Sequence, residues 1–133
     1  MKVCHKCKNT IPISEFYKDK NQKDGLAHYC KYCHLKYKNT IKGKTSRRNT
    51  NLKNNYNITI NDYDQILESQ NYVCKICKTN SPGGQGRFHV DHDHKTGKVR
   101  GLLCDLCNHG LGNFKDSIST LSKAIQYLSE NDK

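Results

Sequence analysis

The sequence predicts a small α+β fold in which bound zinc supplements a lean hydrophobic core. Three observations predict it. The 133 residues include no Trp and only 34% hydrophobic residues, so a core built from apolar side chains alone would be marginal. The eight cysteines form four Cys-x-x-Cys pairs, a spacing typical of zinc sites. Short apolar stretches alternate with turn residues and helical patterns. The length predicts one domain, or one small domain with an appendage.

The first two cysteine pairs define an N-terminal module over residues 1–40. Between Cys7 and Cys30 lie 22 residues, and two pairs at this distance can close a tetrahedral site of four thiolates. In a reducing compartment such cysteines bind metal rather than form disulfides. The module is therefore predicted to be a zinc ribbon with a helical turn near Ser14. The predicted ligands of this first structural zinc are Cys4, Cys7, Cys30 and Cys33.

The cationic and polar composition of residues 41–57 predicts a basic linker or helix between two modules. Residues 1–60 contain 14 Lys and Arg against 3 Asp and Glu, whereas residues 61–133 contain 9 of each. The whole excess of positive charge therefore lies in the first half. Clustered positive charge is typical of proteins that bind nucleic-acid phosphates, although a solvated, solubilising surface would look the same.

Residues 58–133 predict a second, compact domain. Thr59, with Asp62 three residues later, predicts the capped start of an amphipathic helix. Residues 88–90 and 99–103 predict two strands on either side of a Lys-Thr-Gly-Lys turn, and a short helix should follow the second strand.

A last helix is predicted after Asp116 and Ser117, which would cap it. Its apolar residues recur at helical spacing and are interpreted as core or as a dimer contact. They are Ile118, Leu121, Ala124, Ile125 and Leu128.

The second set of cysteines lies within this domain. Between Cys77 and Cys104 are 26 residues. Four thiolates would close the coordination shell and leave no open position, so this zinc is predicted to be structural. It would pin both ends of the predicted hairpin and hold residue 91 opposite Asn108. The predicted ligands are Cys74, Cys77, Cys104 and Cys107.

An acid and imidazole cluster, residues 91–94, lies between these pairs. The carboxylate of Asp91 and the amide oxygen of Asn108 are hard donors that suit Mg²⁺. The imidazole of His92 could accept a proton from water near neutral pH. On a regular strand Asp91 and His92 would face opposite sides, so we expect a β-bulge or a loop here. A polar turn that only hydrogen-bonds the hairpin is the alternative.

From Cys74 to about Leu128 the chain resembles the endonuclease VII family of phage recombination nucleases, a branch of the HNH or ββα-metal nucleases. The resemblance rests on Val-Asp-His-Asp-His, Thr-Gly-Lys-Val-Arg-Gly-Leu-Leu-Cys, Leu-Cys-Asn and Gly-Leu-Gly. It implies a hairpin–helix core with flanking helices, and DNA as the substrate. Known members cleave branched DNA, such as Holliday junctions, as homodimers. The chain departs from the family at Leu111, where the junction-resolving member carries an acid.

The resemblance also implies roles for individual residues. Asp91 and Asn108 would hold the catalytic divalent cation, Mg²⁺ or Mn²⁺, and His92 would be the general base. His94 would support the active site or contact phosphate.

Together these observations predict a metal-dependent DNA endonuclease with two structural zinc ions. Two alternatives stay open: a nicking, packaging-associated or mobile-element HNH nuclease, and a zinc-ribbon protein that binds nucleic acid without cutting it. No stretch approaches the roughly 18 apolar residues of a membrane span, and no apolar N-terminal segment indicates a signal peptide. We therefore expect a cytoplasmic protein, in the host cytoplasm if a phage encodes it.

Overall fold

The computed structural model describes residues 1–132 and divides into two compact units, Met1–Asn51 and Leu52–Lys133. Lys133, the last residue of the second predicted domain, lies outside the described residues. No helix within residues 1–132 has both the length and the apolar character needed to cross a membrane.

The first unit contains two small antiparallel sheets. Strand β1 (Lys2–Val3) pairs with β2 (Thr10–Ile11), and β3 (Phe16–Lys18) pairs with β4 (Leu26–Cys30). The predicted helical turn near Ser14 is a 3-10 turn over Ile13–Glu15. Three of the cysteines and one aromatic ring form the buried core of this unit: Cys4, Phe16, Cys30 and Cys33.

Two helices follow. Helix α1 (Lys31–Lys38) ends at Asn39, and α2 begins at Ile41 and extends to Tyr56. The turn between them depends on Gly43, because a Cβ at this position would collide with the carbonyl oxygen of Tyr37. The segment that the sequence left open as linker or helix is thus helical in the structure.

The second unit begins with Leu52 in α2, which is buried in its core. It continues with α3 (Ile60–Ser69), the hairpin of β5 (His89–His92) and β6 (Val99–Leu103), α4 (Asp105–Asn113) and α5 (Ile118–Asn131). The predicted capping box at the start of α3 is confirmed: the side chain of Thr59 accepts from the backbone of Asp62, and that of Asp62 accepts from the backbone of Thr59. The buried core combines aliphatic, aromatic and cysteine side chains: Leu52, Tyr63, Cys74, Phe88, Leu102, Leu103 and Cys104.

Tyr63 in α3 and Gln70, the C-cap of this helix, attach α3 to the hairpin. The hydroxyl of Tyr63 donates to the backbone oxygen of Phe88 at 2.7 Å. The amide group of Gln70 pairs with the backbone of Leu102 in both directions, each at 2.9 Å. Buried backbone groups need such partners, and these contacts position the strand that carries the candidate site.

The interpretation of the α5 stripe as core is wrong for three of its residues. Ile118, Ile125 and Leu128 are 82%, 66% and 65% exposed. The dimer contact stays a prediction. The fold class is confirmed: the chain is a small α+β protein with two four-cysteine clusters and a β-hairpin that leads into a helix.

Candidate metal centres and active site

Each predicted zinc site is a cluster of four cysteines. The sulfur atoms within each cluster lie within 4.8 Å of one another, and the pair Cys77 and Cys104 is separated by 3.6 Å. A tetrahedral zinc with bonds of about 2.3 Å would place its sulfur ligands about 3.8 Å apart. Backbone N–H groups also face the sulfur atoms, as in Cys30 N–H to Cys4 Sγ at 3.3 Å. Both clusters therefore could hold zinc.

The acidity of the thiols supports this fit. Burial opposes ionisation of Cys4 and Cys74, but backbone N–H donors outweigh it and lower the pKa of each thiol to about 6. Burial and the neighbouring sulfur atoms raise the pKa of Cys33 and of Cys107 to about 12. One thiol of each cluster thus ionises readily while another resists, because thiolates this close repel one another. A divalent cation would remove that repulsion.

The second cluster joins the segment before the hairpin to the end of β6 and the start of α4. Cys104 follows β6 and is the N-cap of α4, where its sulfur accepts from the backbone N–H of Cys107 at 3.5 Å. Cys74 lies before the hairpin and is fully buried, and the N–H of Lys75 donates to Leu102 O at 3.1 Å. The start of α4, and with it Asn108, is therefore tied to the strands.

A cleft of about 330 Å³ lies between the hairpin and α4. It brings together all four predicted site residues outside the cysteine clusters: Asp91, His92, His94 and Asn108. The predicted bulge is present, because the register of β5 against β6 shifts between Asp91 and His92. Over this step β5 advances by one residue and β6 by two, so Arg100 is the extra residue of the bulge. Asp91 and His92 both contribute to the lining of the cleft. The remaining lining residues are Tyr56, His89, Val90, His109, Gly112, Asn113 and Asp116.

Arg100 forms an ion-pair network with two carboxylates that line the cleft. Arg100 on β6 makes a bidentate pair with Asp91, with Nε 2.7 Å from one carboxylate oxygen and a terminal nitrogen 2.8 Å from the other. The same terminal nitrogen lies 3.3 Å from Asp116 Oδ2. The Asp91 side chain is only 14% exposed. Hydrogen bonding to Asp91 and, to a lesser extent, to Asp116 raises the pKa of Arg100.

His92 is enclosed by other rings. Tyr56 contacts it edge-on with ring centroids 5.3 Å apart, and His94 lies 4.7 Å away in a tilted arrangement. Tyr56 is the last residue of α2 and one of the residues that line the cleft. These contacts limit the orientations that the His92 imidazole can adopt.

A second pair of histidines is held by one carboxylate on α4. His89 Nε2 lies 3.0 Å from Asp105 Oδ1. His109 Nδ1 lies 2.9 Å from the backbone oxygen of Asp105 and 3.3 Å from Oδ1. Asp105 thus orients both imidazoles, which face the same cleft as Asp91.

The oxygen donors of the cleft suit a hard divalent cation. Within residues 1–132, the His, Cys, Asp and Glu side chains form three- or four-membered ligand clusters only at the two cysteine sites. Asp91 and Asn108 both line this cleft, and carboxylate and amide oxygens are the ligand types that Mg²⁺ prefers. In this structure both carboxylate oxygens of Asp91 are bound by Arg100.

The family profile of recombination endonuclease VII matches residues 49–130. This is more than half of the chain and includes the cleft and the second cysteine cluster. The chain belongs to the recombination endonuclease VII family.

Similar proteins outside the profile are phage proteins and a restriction enzyme. The gene 59 proteins of Mycobacterium phages L5 and D29 are each 50% identical over 74 residues, which are 55% of this chain and 44% of the relative. The chain thus matches less than half the length of these relatives. The crystal structure of the ββα-Me type II restriction endonuclease Hpy99I aligns at 27% identity and a TM-score of 0.43, over 98% of this chain and 66% of that one.

Sequence reasoning missed two residues of this endonuclease VII-family cleft. Tyr56 lies in the segment that the sequence predicts to be a basic linker or helix. An aromatic residue within an Asn-rich stretch was the one feature of the sequence that could have indicated a role for Tyr56 in the site. Asp116 was interpreted as part of a helix cap, but the N-cap of α5 is Ser117, whose hydroxyl accepts from the N–H of Thr120. Leu111, which stands where the junction-resolving member has an acid, packs on the hydrophobic core.

Proposed function

We propose that this chain is a metal-dependent DNA endonuclease that hydrolyses phosphodiester bonds in the cleft between β5, β6 and α4. The supporting observation is the convergence of Asp91, His92, His94 and Asn108 on one cleft inside the region that defines the family. Hydrolysis of a phosphodiester needs a base, a positive centre beside the phosphate and a hold on the substrate. The cleft contains candidates for each.

His92 is the proposed general base. Imidazole is the side chain best suited to accept a proton from water near neutral pH. The rings of Tyr56 and His94 restrict it, and restricted orientation favours transfer from one water position. His94 is 73% exposed, which suits contact with a phosphate of the substrate.

Asp91 and Asn108 are the proposed ligands of a catalytic cation, Mg²⁺ or Mn²⁺. When bound, such a cation stabilises negative charge on the phosphate and on the leaving oxygen. The two side chains come from different elements, β5 and α4, so their separation depends on the junction that Cys104 makes between β6 and α4. In this proposal the four-cysteine cluster acts on catalysis by positioning, while it takes no part in the reaction.

The substrate we propose is DNA, with branched DNA as the preferred form and a homodimer as the active species. The family name, recombination endonuclease VII, supports DNA as the substrate, and the branched form and the homodimer follow from the resemblance to known members of that family. The cationic helix α2 in front of the nuclease unit would contribute contacts to phosphates, because long runs of positive charge bind nucleic acid without regard to sequence. The host cytoplasm as the place of action stays a prediction.

The decisive test compares the wild-type chain with His92→Ala on supercoiled plasmid. We expect Mg²⁺-dependent nicking by the wild type and a loss of about 10²- to 10⁴-fold in the variant, the usual contribution of a general base. His34→Ala, at an exposed position of α1, is the matched control and should cut normally. Mg²⁺ should be omitted rather than chelated, since a chelator would also remove zinc from the thiolate sites.

The substrate panel then separates the remaining possibilities. Faster cleavage of four-way and forked DNA than of linear DNA would support the branched substrate. Equal cleavage of all forms, or nicking alone, would favour a packaging-associated, mobile-element or nicking HNH nuclease. Tight binding with cleavage of no substrate, across Mg²⁺ and Mn²⁺, would instead support a zinc-ribbon binding protein and would refute the nuclease proposal.

A further inference from the structure

We propose that Asp116 is a positioning residue of this site: its carboxylate orients the imidazole of His94 and shares the guanidinium of Arg100 with Asp91. This inference rests on the proposed nuclease function, which it extends to a residue outside the hairpin and α4. Asp116 lies in the connection between α4 and α5, a segment to which the sequence assigned only a capping role.

The contacts of Asp116 are the first argument. Its Oδ2 atom lies 3.5 Å from His94 Nε2 and 3.3 Å from a terminal nitrogen of Arg100. The side chain is 22% exposed, so these contacts form in a partly shielded environment. One carboxylate oxygen of Asp116 therefore faces both His94 and the guanidinium of Arg100, which also pairs with Asp91.

The backbone supplies the second argument. Lys115 and Asp116 both have positive φ, 53° and 54°. The N–H of Asp116 donates to Leu111 O and that of Lys115 to Gly112 O, which is the pattern of a Schellman motif at the end of α4. Glycine is usual at the position of Lys115, because a side chain is strained there. The turn reverses the chain so that the Asp116 carboxylate enters the cleft.

The restricted orientation of Arg100 is the third argument. Arg100 is held from two sides, by both oxygens of Asp91 and by Oδ2 of Asp116. A guanidinium with two carboxylate partners has less freedom to rotate than one with a single partner. Asp116 therefore stabilises the orientation of Arg100, and through it the orientation of Asp91.

The effect on His94 is more specific. His94 is largely exposed, and besides Asp116 it contacts the ring of His92. Nε2 of His94 lies 3.5 Å from Asp116 Oδ2, and in this proposal the carboxylate favours the Nε2–H tautomer, so that Nδ1 is left for the substrate. Outer partners of this kind fix the tautomer and the orientation of functional histidines.

Two variants test the proposal. Asp116→Asn removes the charge and tolerates positive φ, and Asp116→Gly removes the side chain while it suits the turn. Asp64→Asn, at an exposed position on α3, is the matched control for the loss of one negative charge. Lys115→Gly is the control for the turn, since it relaxes the backbone and keeps the carboxylate. We expect both Asp116 variants to lower kcat by about 10- to 100-fold with little change in KM, and both controls to cut like the wild type.

The second readout is the nitrogen spectrum of His94 by NMR, assigned by its absence in His94→Gln. The wild type should show the Nε2–H tautomer, and both Asp116 variants should show a mixture. The proposal would be overturned if the Asp116 variants had the kcat of the wild type. It would also be overturned by an unchanged His94 spectrum, because lost activity with an unchanged spectrum would mean that Asp116 has only a structural role in the turn. If the wild type cuts no DNA, the nuclease proposal fails independently of the inference about Asp116. The His94 spectrum then still decides whether Asp116 orients this ring.

Discussion

The four-cysteine cluster of the second unit should determine whether the hairpin and α4 stay together, and Cys77→Ser tests this most cleanly. Cys77 is the exposed member of its cluster, so the substitution removes little buried surface. Serine has nearly the same shape as cysteine, but its hydroxyl is a poor zinc ligand. A large effect would therefore report on metal binding rather than on packing.

The size of the effect follows from the coordination. A structural zinc site of four ligands contributes about 10–16 kcal/mol in small domains, so one ligand accounts for roughly 3 kcal/mol if the four contribute equally. This corresponds to a loss of about 100-fold in zinc affinity. For a domain of this size, about 3 kcal/mol lowers Tm by roughly 12–24 °C. The total stability of most domains is about 5–15 kcal/mol, so the variant's second unit should retain roughly 2–12 kcal/mol and stay folded at 25 °C with a clearly lower Tm.

The assay is competition with a chromophoric zinc chelator on the full chain, together with thermal unfolding. The N-terminal cluster is the internal reference, because its zinc should be released as in the wild type. Ile76→Ser, at the neighbouring and 53% exposed position, controls for a polar substitution in the same loop. If Cys77→Ser retained both zinc ions against the chelator as firmly as the wild type, Cys77 would not be a ligand and the positioning role of this cluster would be refuted.

Two further predictions concern the fold and the DNA contacts. Tyr63→Phe should lower the free energy of unfolding by about 1–3 kcal/mol, because the backbone oxygen of Phe88 loses a buried donor; denaturant unfolding measures this, and an unchanged midpoint would contradict it. Replacing the Lys and Arg residues of α2 by Gln should weaken DNA binding and reduce the salt dependence of log K by about 0.9 for each cation that contacts phosphate; an unaltered salt slope would show that this helix is not a docking surface.

Much of the local structure was predictable because short-range patterns determine it. The box of Thr59 and Asp62 begins α3, and the strand predicted over residues 99–103 has the same bounds in the structure. The clustering of the eight cysteines into two sets of four follows from their spacing in the sequence. In each case the partners are close in sequence or are chemically so distinctive that few other arrangements can satisfy them.

The network around the cleft could not be predicted in the same way. Arg100 might have faced solvent or phosphate, and nothing local indicated that it pairs with Asp91. Asp116 looked like a helix cap, and only the turn between α4 and α5 directs its carboxylate toward His94. Tyr56 reaches His92 from a helix that the sequence left open as a linker. The exposed stripe of α5 also depends on which elements cover it, and periodicity is the same for a covered and an uncovered face.

The sequence by itself determined the family to which the chain belongs and the two sets of four thiols that could hold zinc. It also predicted an acid, an amide and an imidazole for a divalent cation and a base. The tertiary structure decided which of these side chains meet and which partners hold them. The physical reason is the distance along the chain over which each interaction is determined. Ligand chemistry and helix capping depend on residue type and short spacing, whereas ion pairs and ring contacts depend on where separate elements pack. The bulge between Asp91 and His92 illustrates the difference, because the sequence predicted a bulge or a loop at this point and the pairing of β5 with β6 placed the extra residue in β6.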